Sequence, residues 1–248
     1  MAPRAGTPRP TGGGRQGEGV LDLLAGHRIL GRLPAAELAA LVRQASVRAY
    51  AERAVIFRQG DAGHGVLAVV DGYVKLSAAA PSGREVVLEV AGPGAVFGEL
   101  AVLNNWPRAA EAEALSACRL LNIDAAAFIA ALTRHPQAML EVVRLLSERL
   151  RTVTEQMTDA VDLPATARLA KALLRLAALH SHKVEDGLRI DLMLSQRELG
   201  GMTGLTRESI NKHLAGWRDQ GWLHLVEGAI VLVRPTALRE IVREHSLD

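Results

Sequence analysis

Two charged residues, Glu99 and Arg108, stand out in the segment FGELAVLNNWPRAAEAEA (residues 97–114) because most of their neighbours are small or apolar. A charged side chain beside tightly packed backbone needs a partner, since an unpaired buried charge is costly. The partner is either the other residue of the pair or a ligand. The spacing alone leaves both possibilities open.

A second group of polar residues lies in LSQRELGGMTGLTRESINKHLAGWRDQGWLHLVEGAIVLV (residues 194–233). Ser195 and Glu198 form the pattern of a capping box, and Thr206 is placed to cap a second helix that ends near Gly221. Gly204 supplies a tight turn between the two helices. Two short helices joined by such a turn predict a helix-turn-helix, and the apolar strands after it predict a hairpin wing.

The second helix of this module has an apolar and a polar face. Ile210, Leu214 and Trp217 follow helical spacing and are expected to be buried. The opposite face carries groups that can hydrogen-bond to base edges, and the two helix starts carry groups that can hold phosphates. A capped surface helix is the alternative, but the order of the parts favours DNA binding. The predicted DNA-binding residues are Ser195, Gln196, Thr206, Arg207, Glu208, Asn211 and Lys212.

The rest of the chain divides into regions that differ in composition and in the spacing of their apolar residues. Residues 1–19 are rich in Gly, Pro and Arg and predict a disordered tail, and apolar residues at helical spacing predict short helices between 20 and 45. Between 46 and 124, short β-branched runs separated by glycines predict an antiparallel β-roll of the jelly-roll type. The fold class is therefore α+β, with a ligand domain at 20–134, a dimerisation helix at 135–162 and a winged helix-turn-helix domain at 163–248.

A heptad repeat marks the predicted long helix. Its apolar residues advance by alternating steps of four and three, which is typical of a two-stranded coiled coil and predicts a homodimer. An amphipathic helix packed on its own domain is the alternative, and Val142 and Leu145 supply a second apolar stripe for that packing. The predicted interface residues are Met139, Val143, Leu146, Leu150, Val153 and Met157.

Composition excludes several classes of protein. The chain has 248 residues, 49% of them hydrophobic, and no apolar run near the ~20 residues that cross a bilayer, so we expect a cytoplasmic protein with no membrane partner. A single cysteine, Cys118, excludes an intrachain disulfide, a Cys-built zinc site and a Cys-ligated cluster within one chain. Because it lies in an apolar run, it is expected to be buried. No catalysis, cofactor or metal site is predicted.

The histidines leave one alternative open. Haem is compatible with His27, His64 and His135, although isolated histidines are more often surface or capping residues than ligands. The run HSH (residues 180–182) is interpreted as a loop and is weak as a metal site.

The order of these parts resembles the cyclic AMP receptor protein family of bacterial transcription regulators over residues 20–240. FGELAVLNNWPRAA resembles its phosphate-binding cassette, and the heptad helix and LSQRELGGMTGLTRESINKHL resemble its dimer helix and DNA-binding motif. The resemblance implies that cyclic AMP is the allosteric ligand, with Arg108 on the phosphate and Glu99 on the ribose 2′-hydroxyl. The cyclic nucleotide-binding residues it implies are Gly98, Glu99, Leu100, Arg108, Ala109 and Thr154.

This sequence departs from the family at two places. Ala109 replaces a Ser or Thr that often follows the cassette arginine, and Val153-Thr154 replaces a Thr-Ser pair that meets the adenine, so only Thr154 is left to contact the base. The alternatives are a regulator with another effector or none, or a cyclic nucleotide-binding subunit of an enzyme. The expected partners are double-stranded DNA with TGTGA-like half-sites, a second copy of the chain and RNA polymerase.

Overall fold

The computed structural model describes residues 15–245, with side chains from residue 19 onward. Residues 1–14 of the predicted tail lie outside this range, and helix α1 (Arg15–Ala25) begins before Val20, where ordered structure was expected to start. A 3-10 helix (Leu30–Arg32) and α2 (Ala35–Gln44) follow, with Pro34 at the N-cap of α2. These helices pack on the core of the β-roll through buried residues such as Leu24 and Leu38.

The β-roll consists of two four-stranded antiparallel sheets, ordered β1-β8-β3-β6 and β2-β7-β4-β5. Gly72 (φ 78°) shows why glycine is needed at a turn, because a Cβ there would meet the backbone of Cys118 at 2.8 Å. One helix, α3 (Glu99–Asn104), interrupts the strands between β6 and β7. The strands are β1 (Ser46–Tyr50), β2 (Val55–Phe57), β3 (Gly65–Asp71), β4 (Val74–Ala79), β5 (Glu85–Ala91), β6 (Val96–Phe97), β7 (Glu111–Ala114) and β8 (Cys118–Asp124).

Two helices follow the roll. Helix α4 (Ala125–Arg134) is capped by Asp124, whose carboxylate accepts from two backbone N–H groups, and α5 (Pro136–Asp162) is the predicted long helix. Val142 is buried in the roll core and Leu145 packs against it, as the second apolar stripe predicts. Among the described residues, no helix has the length and apolar character needed to cross a membrane.

The C-terminal region is a winged helix-turn-helix with one more hairpin than expected. The run HSH is not a loop: His180 ends α6 (Ala165–His180), and Ser181 begins β9 (Ser181–Val184), which pairs with β10 (Gly187–Ile190). The loop interpretation failed because these polar residues sit on a half-exposed strand. The remaining elements are α7 (Gln196–Thr203), α8 (Arg207–Asp219), β11 (Leu223–Val226), β12 (Ala229–Leu232) and α9 (Pro235–His245).

The roll and the helix-turn-helix are packed together. Val87 and Val90 of β5 share a core with residues of α6 and α7, and a Cβ on Gly201 would lie 2.8 Å from Val87 Cγ2. Arg53 donates from Nη1 to Glu198 Oε1 at 2.7 Å. The β-roll and the helix-turn-helix are therefore in direct contact.

Candidate ligand site and nucleic-acid interface

Arg108 is the buried cation of the cassette. Only 7% of it is exposed, and its Nη1 and Nη2 donate to the backbone oxygens of Gly98 and Gly65, each at 2.8 Å. The guanidinium carbon lies 4.3 Å from the centre of the Phe57 ring, a cation-π contact. Its hydrogen bonds thus go to carbonyl groups and leave its charge without a directly bonded carboxylate.

Gly98 permits this approach. It has φ 84° and is the N-cap of α3, and a Cβ at this position would collide with Arg108 Nη1. A larger residue would therefore strain the backbone and displace the guanidinium.

Glu99 is paired with Arg149, which was not among the predicted site residues. Glu99 is the first residue of α3 and is 1% exposed, and its Oε1 accepts a hydrogen bond from Arg149 on α5. Arg149 also meets Glu89 Oε2 at 3.0 Å. The helical spacing held a signal for this contact, because Arg149 lies four residues after Leu145 and seven after Val142, on the stripe that faces the roll.

The electrostatics of the two cations differ. Burial lowers the pKa of Arg108, with Glu99 and Asp61 opposing the shift. Burial also disfavours the charge of Arg149, but Glu99 and Glu89 outweigh it and raise the pKa. Among the described residues, Arg108 Nε and Glu99 Oε2 are buried without a hydrogen-bond partner. Glu99 and Arg108 therefore do not satisfy each other, and each retains an unused polar atom.

The other predicted ligand residues are less buried. Leu100 is 37% exposed, because the buried side of α3 is formed by Glu99, Ala101 and Val102. Ala109 is exposed. Thr154 is also exposed, and its hydroxyl donates to Leu150 O on its own helix at 2.9 Å.

The predicted dimer stripe is only partly covered within one chain. Val143 is 54% exposed, Leu150 69%, Val153 44% and Met157 68%. In contrast, Met139 and Leu146 pack against the core of the roll. Two further apolar residues of α5, Leu140 and Val161, are exposed as well.

The helix-turn-helix has the predicted caps and turn. Ser195 and Glu198 form a complete capping box, Gly204 (φ 71°) ends α7, and the Thr206 side chain accepts from Ser209 N at the start of α8. Ile210 and Trp217 are buried. The predicted DNA-binding residues of α8 and of its N-cap are exposed: Thr206, Arg207, Glu208, Asn211 and Lys212.

Ser195 and Gln196, two of the residues at the helix starts that were predicted to hold phosphates, make hydrogen bonds to other residues of the chain. The Ser195 hydroxyl bonds to Glu198 in the capping box. Gln196 accepts from Arg207 Nε at 2.8 Å and donates to Asn211 Oδ1. Gln196 thus contacts two residues of α8, the second helix of the motif.

The surroundings of the histidines and of Cys118 bear on the alternative of a metal or haem site. Among the described residues, no group of three or more His, Cys, Asp and Glu side chains is arranged to hold a metal. His27 Nδ1 accepts from the backbone N–H groups of Ile29 and Leu30 at 3.3 and 3.2 Å. Cys118 is 3% exposed, as predicted, and burial raises its pKa.

Two clefts open where the roll meets the C-terminal region. One of about 480 Å³ is lined by charged groups that include Arg53, Lys75 and Glu198. The other, of about 1100 Å³, is lined by β5, the C-terminal half of α5 and the helix-turn-helix, with Val153 and Arg207 among its residues. Neither cleft includes Glu99 or Arg108.

The fold and these two sites define a class of transcription regulators that combine a ligand-binding roll with a helix-turn-helix. Residues 47–135 match the cyclic nucleotide-binding domain, and residues 167–241 match the Crp-like helix-turn-helix domain. The CRP-like cAMP-activated global transcriptional regulator of Mycobacterium tuberculosis is 30% identical over 212 residues, which cover 86% of this chain and 94% of that protein. The chain belongs to the CRP family of transcription regulators.

Solved structures show the same fold. FixK2 from Bradyrhizobium japonicum has a TM-score of 0.70 at 24% identity, covering 79% of this chain and 96% of its own. The c-di-GMP responsive regulator CLP of Xanthomonas campestris has a TM-score of 0.66 at 24% identity, covering 80% and 99%. The related proteins are transcription regulators rather than enzymes.

Proposed function

We propose that this protein is a homodimeric, sequence-specific DNA-binding regulator whose β-roll binds cyclic AMP. The observation that carries the proposal is the pair of unused buried atoms, Arg108 Nε and Glu99 Oε2. A buried polar atom without a partner costs free energy, so a ligand that supplies both partners is strongly favoured. A cyclic nucleotide offers an anionic phosphate to the guanidinium and a ribose hydroxyl to the carboxylate.

Each residue has a distinct part in this proposal. Gly98 gives the backbone room beside the phosphate, and Ala109 keeps that side of the site small. Arg149 holds Glu99 by one oxygen and leaves the other for the ribose, so the ligand adds to the existing ion pair without displacing it. Thr154 contacts the adenine from its own or the partner subunit.

The exposed stripe on α5 supports the homodimer. The large apolar side chains at Val143, Leu150, Val153 and Met157 repeat at heptad spacing, and a second copy of the helix would cover them. Ligand binding near this helix would shift the equilibrium towards a dimer whose recognition helices fit successive major grooves, ~34 Å apart. By family resemblance, the bound dimer then meets RNA polymerase.

A gel shift on genomic fragments with and without cyclic AMP tests the proposal. We expect cyclic AMP to strengthen binding by the wild type, and Arg108→Ala to abolish that response while Arg119→Ala, at a half-exposed residue of the roll, keeps it. DNA binding without any response to the nucleotide would contradict the ligand assignment alone. Absence of DNA binding under both conditions would contradict the regulator itself.

A regulator with another effector or none is the second candidate, and one observation favours it. Arg108 already donates to two carbonyl oxygens and Glu99 is already paired, so the site is partly satisfied within the chain. Calorimetry with millimolar cyclic AMP separates the two candidates, because only the first predicts a binding signal that Arg108→Ala removes.

The dimer has its own test. Leu150 on the α5 stripe and Leu179 on α6 are both 69% exposed, so Leu150→Asp and Leu179→Asp are matched variants. We expect Leu150→Asp to sediment as a monomer, because a charge in an apolar seam is not compensated, and Leu179→Asp to remain a dimer. Equal behaviour of the two variants would argue against this interface.

A further inference from the structure

Gln196 links the two helices of the DNA-binding motif. It is the first residue of α7, and its amide oxygen accepts from Arg207 Nε at 2.8 Å while its amide nitrogen donates to Asn211 Oδ1. Arg207 and Asn211 are four residues apart on α8 and both are exposed, so they share one face of that helix. Both polar ends of the Gln196 side chain are therefore used on the recognition helix.

The bond at Nε determines which edge of Arg207 is free. A guanidinium presents two edges, one formed by Nε with a terminal nitrogen and one formed by the two terminal nitrogens. With Nε held by Gln196, the edge made of Nη1 and Nη2 is left for DNA. A fork of two parallel N–H groups matches the O6 and N7 acceptors of guanine in the major groove.

The residue that holds Arg207 is itself held firmly. Gln196 directly follows Ser195, the N-cap of α7, whose capping box includes the buried Glu198. Glu198 in turn pairs with Arg53 of the roll at 2.7 Å. A flexible arginine that is oriented before DNA arrives loses less side-chain freedom on binding.

We propose that Gln196 is a positioning residue for base recognition, which acts by orienting the Arg207 guanidinium towards a guanine. This inference rests on the proposed function, since it requires sequence-specific DNA binding. It replaces the phosphate contact predicted for Gln196. Asn211 supports the same arrangement through the other end of the amide.

The test compares affinities for a palindromic duplex with TGTGA half-sites and for duplexes in which each base pair of a half-site is replaced in turn, in cyclic AMP at one salt concentration. Arg207→Ala is expected to lose about 5- to 150-fold discrimination at one base pair. Gln196→Met, which keeps the length of the side chain but removes both bonds, is expected to lose about three- to tenfold at that same base pair. The double variant should be no worse than Arg207→Ala, because the two residues act as a unit.

Gln196→Glu is the matched control. Its carboxylate accepts from Arg207 Nε with one oxygen, and the Asn211 amide can turn so that its NH2 group donates to the other. The added negative charge is repelled by phosphates, so discrimination should persist while every duplex binds more weakly. Asn211→Ala provides a second variant that weakens the same arrangement from the other side.

Two outcomes would overturn the positioning role. In the first, Gln196→Met weakens all duplexes equally or leaves discrimination unchanged while Arg207→Ala reduces it. In the second, the wild type does not discriminate between the duplexes, and then sequence-specific recognition fails together with the inference.

Discussion

The two candidate sites differ in the burial and the hydrogen bonding of their polar side chains. In the roll, Glu99 and Arg108 are 1% and 7% exposed and each keeps an unpaired buried atom. In the helix-turn-helix, Arg207 and Asn211 are exposed and are tied together by Gln196. The first site contains buried polar atoms without hydrogen-bond partners, which cost free energy, whereas the polar groups of the second are exposed and hydrogen-bonded to one another.

This difference matches the kind of ligand proposed for each site. A small anionic ligand is recognised best where water is excluded and charge-assisted hydrogen bonds are strong. DNA presents a wide surface of base edges and phosphates, for which exposed and oriented side chains suffice. Substitutions in the roll should therefore change stability more than substitutions among the exposed residues of α8.

The largest expected effect is at Arg149, whose loss would leave Glu99 buried and unpaired. Arg149→Met should lower the free energy of unfolding by about 3 kcal/mol, since breaking a buried ion pair by removing one partner is strongly destabilising. Arg151→Met is the matched control on the same helix, because its partner Glu155 is exposed and 3.7 Å away, and it should cost only about 0.3 kcal/mol. Urea unfolding measures both, and similar losses would mean that the cassette network is no more costly to break than a surface pair.

How far each site could be predicted depends on the distance between its partners in the chain. The capping box, Gly204 and the buried Ile210 follow local patterns, so the sequence predicted the helix-turn-helix almost element by element. Glu99 and Arg149 are separated by 50 positions, and Arg108 bonds to Gly65 across 43. Such contacts depend on how the strands and α5 pack: helical spacing places Arg149 on the stripe that faces the roll, but it does not identify Glu99 as the partner.

The misinterpreted run HSH (residues 180–182) has the same origin. Ser181 and His182 are polar residues of the half-exposed strand β9, whose pairing with β10 determines its structure. Here tertiary contacts outweighed the local composition.

The second largest expected effect is the pH dependence of stability that His27, beside the roll, produces. Burial, with Arg28 and Arg149 nearby, lowers the pKa of His27 from 6.5 to about 4. Between these values the unfolded chain binds a proton that the folded protein does not, so stability falls as pH is lowered through this window. Allowing for partial exposure, the loss is about 2 kcal/mol.

His27→Asn should reduce this pH dependence, because an amide oxygen can accept from the same backbone N–H groups without titrating. The measurement is urea unfolding of the variant and the wild type at a series of pH values. His213 on α8, whose pKa is also lowered by burial and by Lys212, is the comparison, and we expect His213→Asn to change the slope less. A larger change at His213 would place the pH sensitivity in the helix-turn-helix instead.

The smallest expected effect is on a cap of the helix-turn-helix. Its polar side chains are mostly exposed and paired with near neighbours in the chain, so a substitution there should lower the free energy of unfolding only slightly. Ser195→Ala removes the hydroxyl that accepts from Glu198 N at the start of α7, and the loss of such a cap costs about 1 kcal/mol. Ser82→Ala, at an exposed turn of the roll, should be nearly neutral. Thermal unfolding measures both variants. If Ser195→Ala costs as much as Arg149→Met, then the contrast in cost between the two sites does not hold.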